Sequence, residues 1–212
     1  MKTKEKIVLV SLDMFNRLGE RNVTTNHIAA ELGISPGNLY YHFSNKQEII
    51  CSIFAQYEQQ LRDSFRPQAD QRLTLEQVTA YLDACFEIMW QFRFLYANLA
   101  ELLARDEGMK ARYHAIQEDL VEWVRAILVQ LRDSRFLAGD DKTMEELADM
   151  VKFIVGAWIV YQSVQKDKGE IDKSTLYKGV LQVLVLLRPY FTETSRSTCE
   201  RLEQHYSELA FG

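Results

Sequence analysis

A chain of 212 residues that is 47% hydrophobic and 26% charged, with three prolines and nine glycines, has the composition of long helices around a core, which excludes a disordered or low-complexity chain. Its formal charge of −5 argues against a protein that coats nucleic acid at large, because neutralising phosphates leaves a basic footprint. The charge is uneven, however: residues 1–50 hold six Lys/Arg against five Asp/Glu, a near-neutral head on an acidic body.

Ile7, Ser11, Met14, Phe15 and Leu18 recur at helical spacing, and Gly19 follows where a left-handed cap falls, which predicts a first helix ending there. Thr24 caps a short second helix through Leu32, with Ile28, Ala29 and Leu32 inward, and Gly33 stops it. Ser35 caps a third, with Pro36 at the first helical position where its missing N–H costs nothing, running to about Phe43. Ser44 and Gln47 read as a capping box that opens a longer fourth helix along Ile50, Ile53, Phe54, Tyr57 and Leu61, closed by the polar stretch Arg66 to Arg72. Similar stripes predict helices near 74–92, 95–105, 108–133, 144–166 and 173–188. Loops are expected at Gly139 to Asp141 and Lys166 to Gly169, a stop at Pro189, and one more short helix in the tail from Thr192. The expected fold is all-α, with about nine or ten helices: three in a head over residues 1–48, then a helical bundle over residues 49–212.

Two short helices joined by Gly33-Ile34-Ser35 behind a longer one have helix-turn-helix geometry, in which the glycine permits the sharp turn and the second short helix is held out for a major groove. The run from Val23 to Lys46 is more specific than that spacing. With its Ile28-Ala29, Gly33-Ile34-Ser35, Leu39-Tyr40, His42-Phe43 and Asn45-Lys46 groups in register, it resembles the signature of the TetR family of transcriptional regulators. The resemblance covers roughly the first fifty residues; the remainder has the right length and helicity but no motif of its own. It implies a DNA-binding domain over 1–48, an effector-binding and dimerisation domain over 49–212, and a homodimer on double-stranded operator DNA, released by a small molecule.

Leu39 and Phe43, four apart, must face Ile28 and the first helix, leaving Gly37, Asn38, Tyr40 and Tyr41 toward DNA. The Asn38 amide suits adenine N6/N7 or cytosine, and Tyr40 offers a ring to thymine methyls and a hydroxyl to base or phosphate, unless it packs within the head. Ser35, Pro36 and Gly37 bring backbone near the groove, or simply start their helix. Thr25 and Asn26 stand at a helix N-terminus, where free N–H groups favour a phosphate. Tyr41, His42 and Lys46 match backbone-contacting positions by the resemblance. Lys46 opposes the dipole of the helix it starts, a conflict a phosphate resolves, and His42 serves equally as an internal hydrogen-bonding residue.

The blocks Met150 to Tyr161 and Leu176 to Leu187 are too apolar around their circumference for one-sided surface helices. The reading is a twofold four-helix dimer interface using Gly156, Ala157, Val160, Val180, Leu184 and Leu187; the alternative is a deep monomeric core. Phe86, Met89, Trp90, Trp123, Trp158 and Tyr161 are the candidate walls of a pocket for a small, largely apolar effector.

Neither the apolar run Phe153 to Tyr161 nor the N-terminus resembles a membrane span or a cleavable leader, so a cytoplasmic protein without a membrane partner is expected. Cys51, Cys85 and Cys199 lack metal-ligand spacing and read as reduced thiols in or near a core, with a redox role left open. No cofactor, metal or enzyme activity is expected: His27, His42, His114 and His205 join no nucleophile motif, and Glu101 with Asp106 reads as surface salt-bridging. The rival reading is an all-helical ligand carrier or protein-interaction module with a non-functional helix-turn-helix.

Overall fold

The computed structural model describes residues 2–67, 74–165 and 172–212; the loops expected at 68–72 and 166–169 lie outside these. Among the described residues there are ten α-helices and no sheet. The head holds α1 (Thr3–Leu18), α2 (Thr25–Glu31) and α3 (Pro36–His42). The long α4 (Lys46–Phe65) follows, then α5 (Leu75–Gln91), α6 (Arg93–Arg105), α7 (Glu107–Asp133), α8 (Asp141–Gln165), α9 (Lys173–Leu187) and α10 (Arg196–Phe211).

The caps fix most boundaries. Thr24 Oγ1 accepts from the His27 N–H at 3.2 Å and Ser35 Oγ from the Asn38 N–H at 3.2 Å, each satisfying a donor that a helix start leaves free. Gly33, at φ 64°, makes the left-handed turn between α2 and α3. Three local expectations are corrected. Gly19 has positive φ but an extended ψ of 138°, and a 3₁₀ turn at Glu20–Asn22 follows it. The N-cap of α4 is Asn45, whose side chain accepts from the Glu48 N–H at 3.0 Å; Ser44 instead donates its N–H to the Glu48 carboxylate. The tail helix is no short turn but the sixteen residues of α10, packed along α9.

Ile7, Phe15, Ile28, Leu39, Phe43, Ile49, Ile53 and Phe54 are almost wholly buried and form the head's core. Because α4 supplies Ile49, Ile50, Ile53 and Phe54 to that core and then continues unbroken into the body, the expected boundary at 48 falls inside a helix rather than in a linker. Asn16 adds a second weld: its amide donates to the Gln91 carbonyl at 2.7 Å and accepts from the Phe94 N–H at 3.1 Å.

In the body, α9 lies among α5, α8 and α10. Val180, Leu184 and Leu187, expected at a dimer seam, are buried inside the protomer, Val180 and Leu184 in a cluster with Leu202 and Tyr206 of α10 and Leu187 in a cluster with residues of α7 and α8. Within the protomer, α8 and α9 approach closely at Gly179. A Cβ at Gly179 would sit 2.7 Å from the Trp158 ring, whose Nε1 donates to the Thr175 carbonyl at 2.7 Å, whereas a Cβ at Gly156 meets nothing within 4 Å.

Candidate functional site

Along α3, Leu39 is fully buried and anchors the helix to the head core, while Asn38, Tyr40 and Tyr41 stand outside; Tyr41 is 85% exposed. Ser35, Pro36 and Gly37 are exposed at its start, Asn26 is exposed at the start of α2, and Thr25 beside it is half-buried. The Thr25 and Tyr40 hydroxyls lie 3.0 Å apart, so Tyr40 is braced against α2 while half its surface stays open. His42 is half-buried with its ring edge-on to Tyr41.

Lys46 points the other way. Its ammonium donates to the Glu20 and Val23 carbonyls at 2.9 and 3.0 Å and lies 2.7 Å from Glu20 Oε1. The conflict with the α4 dipole is therefore met inside the protein, where a phosphate was expected to meet it. Glu20, with 1% of its side chain exposed, is a group that sequence reasoning missed; Oε1 is paired by charge without hydrogen-bond alignment, and Oε2 lies 3.5 Å from Arg105. Arg105 and Arg21 both bond Glu101, which carries the network from the head to α6. Asp106, read with Glu101 as surface salt-bridging, instead caps α7 through the Met109 N–H at 2.9 Å. A basic edge was also missed: Lys2, Lys4 and Lys6 are exposed at the start of α1, and Lys4 lies 5.2 Å over the Phe43 ring, beside the end of α3. Helical spacing from a known α1 start could have placed these lysines; nothing local in sequence marks Glu20 as buried.

The body encloses an apolar cavity of about 180 Å³ between α4, α5, α7, α8 and α9. Tyr57, Leu61, Val78, Tyr81, Leu128 and Val183 are among its walls. Of the expected wall residues, Met89 and Trp158 border it and four do not. Phe86 stacks on Tyr177 at 3.9 Å, Trp90 faces Arg93 and Lys173, Trp123 faces Arg62, and Tyr161 is 55% exposed. Aromatic residues near the cavity thus serve mostly as platforms for cations and for one another. Gly156, expected at a dimer seam, borders the cavity at the flank of α8. Burial pushes all three thiols up, Cys85 at the cavity wall to about 12 and Cys199 to about 11, and at Cys51 the neighbouring Asp106 carboxylate adds to it, which leaves little thiolate for redox chemistry.

The opposite side of α8 is an uncovered apolar stripe: Met150, Phe153, Val160, Tyr161 and Val164 are exposed, Val164 at 78%. By length and composition α8 is also the one helix among the described residues apolar enough to cross a membrane, with a mean hydropathy of 1.3. Its first turns, however, carry Asp141, Lys142, Glu145, Glu146, Asp149 and Lys152.

The family described as bacterial regulatory proteins, TetR family, matches residues 7–53, and the one described as a bacterial transcriptional repressor, TetR, matches residues 56–199. The tetracycline repressor protein class A of transposon 1721 from Escherichia coli is 27% identical over 171 residues, 77% of this chain and 69% of the relative. The regulator SrpR of Pseudomonas putida is 30% identical over 83 residues, and there the alignment spans only 39% of either protein. The crystal structure of a regulator from Marinobacter aquaeolei VT8, 35% identical, superposes with a TM-score of 0.88 over 97% of this chain and 99% of the other.

Proposed function

The chain belongs to the TetR family of bacterial transcriptional repressors, and we propose that it works in the cytoplasm as a homodimeric, operator-binding repressor that a small, largely apolar effector releases. The observation that carries this reading is the division of labour along α3, where Leu39 is fully buried while Asn38, Tyr40 and Tyr41 are held outward. A helix anchored so firmly, with an amide and two phenols projecting, is built to place side chains against base edges rather than to fill a core.

In this reading Asn38 and Tyr40 read bases, with Ser35, Pro36 and Gly37 close to the groove. Thr25 and Asn26 hold a phosphate at the start of α2, and Tyr41 and His42 contact the backbone. Lys46 serves by fixing α4 against Glu20, and Lys2, Lys4 and Lys6 supply the long-range charge. The exposed stripe of α8, with Ala157 and Val160 at its centre, meets its counterpart across a twofold axis, which sets two copies of α3 roughly 34–36 Å apart. An occupant of the cavity that presses on Tyr57 and Leu61 displaces α4 and changes that spacing, with a coupling of about 1–3 kcal/mol.

A gel shift with the DNA flanking its own gene tests the reading. The wild type binds specifically and loses affinity as salt rises, and an Asn38→Ala/Tyr41→Ala double variant binds more weakly at unchanged helicity. Absence of binding to every flanking fragment removes the proposal in favour of a ligand carrier.

A further inference from the structure

The cavity wall is almost wholly apolar and, besides Tyr81, Cys85 and Thr198, its polar groups are of two kinds. At the α4 end, three elements bring uncharged groups together. The Tyr57 hydroxyl of α4 and the Tyr96 hydroxyl of α6 lie 3.3 Å apart, and Gln117 of α7 lines the cavity with them. Tyr113, one turn before Gln117 on α7, completes the group. A cation stands elsewhere: Lys152, half-exposed on the flank of α8.

We propose that the effector is an uncharged, mainly apolar molecule with a single hydroxyl or carbonyl, which it seats among Tyr57, Tyr96 and Gln117 while its body fills the space between α5, α7, α8 and α9. This rests on the effector reading above and narrows it to a ligand class.

Two physical arguments choose this class over an amphiphilic anion. Tyr57 is 4% exposed, and burial holds the phenols of Tyr57 and Tyr96 well above their ordinary range, so the cluster offers protons and lone pairs but no charge. The cations near it in sequence are engaged elsewhere: Arg62 bonds Asp119, Arg112 bonds Glu58, Lys110 bonds Glu107, and Arg93 donates to the Trp90 carbonyl and stacks on that ring. An ionised carboxylate brought here would lose its hydration without a counter-ion, whereas a hydroxyl or carbonyl exchanges hydrogen bonds with water for hydrogen bonds with phenol and amide. Lys152 does not reverse this. It is half-exposed on α8 beside the cavity-lining Val151, Val155 and Trp158, whereas Tyr57, Tyr96 and Gln117 stand on α4, α6 and α7, so a head group seated among the phenols is not seated on Lys152.

Three probes with one apolar body test the class: 4-hexylphenol, 4-hexylbenzoate and hexylbenzene, titrated into the full-length protein by calorimetry and by the fluorescence of Trp158. The phenol is expected to bind about tenfold more tightly than the other two. Tyr57→Phe removes most of that advantage and leaves hexylbenzene unchanged, and Lys152→Met alters none of the three. Should Tyr57→Phe fold poorly by circular dichroism, Gln117→Leu carries the same expectation. Tighter binding of the benzoate, lost in Lys152→Met, overturns the class while the effector cavity stands. Equal affinity for phenol and hexylbenzene overturns it too. If no probe binds, the effector reading itself falls, and this inference with it.

Discussion

Head and body are made of the same material, helices with apolar stripes, but the larger uncovered apolar surfaces lie in the body. The head's apolar positions close on one another from Ile7 to Phe54, and what α3 leaves outside is polar. The body leaves apolar surface at the cavity and along the outer stripe of α8 from Met150 to Val164, with Val185, Leu209 and Phe211 exposed besides. A contiguous apolar patch on a soluble protein marks a surface that something else covers. On the function proposed above, the difference places each part's partner: phosphates and base edges for the head, a small molecule inside and a second copy outside for the body.

The largest expected effect comes from spoiling the outer stripe. Phe153→Asp with Val164→Asp places charges where α8 is most exposed, so each protomer keeps its fold while the dimer separates. Two linked half-site contacts then become independent, and operator affinity falls by about 100-fold or more. Sedimentation and gel shift check this; a variant that sediments as a dimer breaks the assignment of α8 as the seam. The same measurement decides what the span-like hydropathy of α8 means, because a helix that needs lipid would not release a folded, soluble monomer.

Next comes the one charged group that the head buries. Lys46→Met removes the nearer of two cations from Glu20, and stranding a buried carboxylate costs about 3 kcal/mol or more. Denaturant unfolding should show this loss, and Glu20→Gln in the same chain should recover most of it. A Lys46→Met protein of unchanged stability but weakened operator binding would return Lys46 to a phosphate contact and redraw the boundary between the head's interior and its DNA face.

These two cases also show what the sequence made legible. The helix-turn-helix was readable because its constraints are local: Thr24 and Ser35 cap, Pro36 starts a helix, Gly33 turns, and Leu39 and Phe43 repeat at four. Glu20 and Lys46 are 26 residues apart, and their pairing depends on how α1 and α4 cross, which no local pattern encodes. The body went partly astray for a related reason. The apolarity of α9 shows that it is buried on several sides, but not whether its own α10 or another chain does the burying, and here α10 covers it. Likewise the aromatic residues around 86–90 signalled an interior without telling which side of a helix faces empty space; Met89 does, whereas Phe86 is taken up by Tyr177.

A smaller effect separates function from stability within α3 itself. Asn38→Ala leaves the unfolding midpoint nearly unchanged, since the side chain is exposed and the Ser35 cap uses only the Asn38 backbone N–H. Operator affinity drops by about 1–3 kcal/mol, with the loss concentrated at one base pair in a set of single-site operator variants. A uniform loss across all operators would make Asn38 a backbone contact instead.

The smallest effect lies at the join between the two regions. Asp106 caps α7, while its other carboxylate oxygen accepts from Gln47 of α4 at 3.1 Å and from the Cys51 thiol at 3.3 Å. The Met109 N–H, and after it Gln47 and Cys51, hold this carboxyl below its ordinary value. A depressed folded-state value means that the unfolded chain takes up the proton first. The contribution of Asp106 is therefore complete above the unfolded value of about 3.9 and fades as pH falls through the lower folded value. Asp106→Asn keeps a competent cap but removes the charge from the start of α7, and should cost about 0.3–1 kcal/mol at pH 7. The gap between wild type and variant should close in acid. Because all three tryptophans, Trp90, Trp123 and Trp158, belong to the body, fluorescence follows that region while circular dichroism follows the whole chain. Coincident shifts in both signals mean that the unbroken α4 makes head and body one cooperative unit; a shift confined to one of them means that the join yields first, and that an effector need only loosen it.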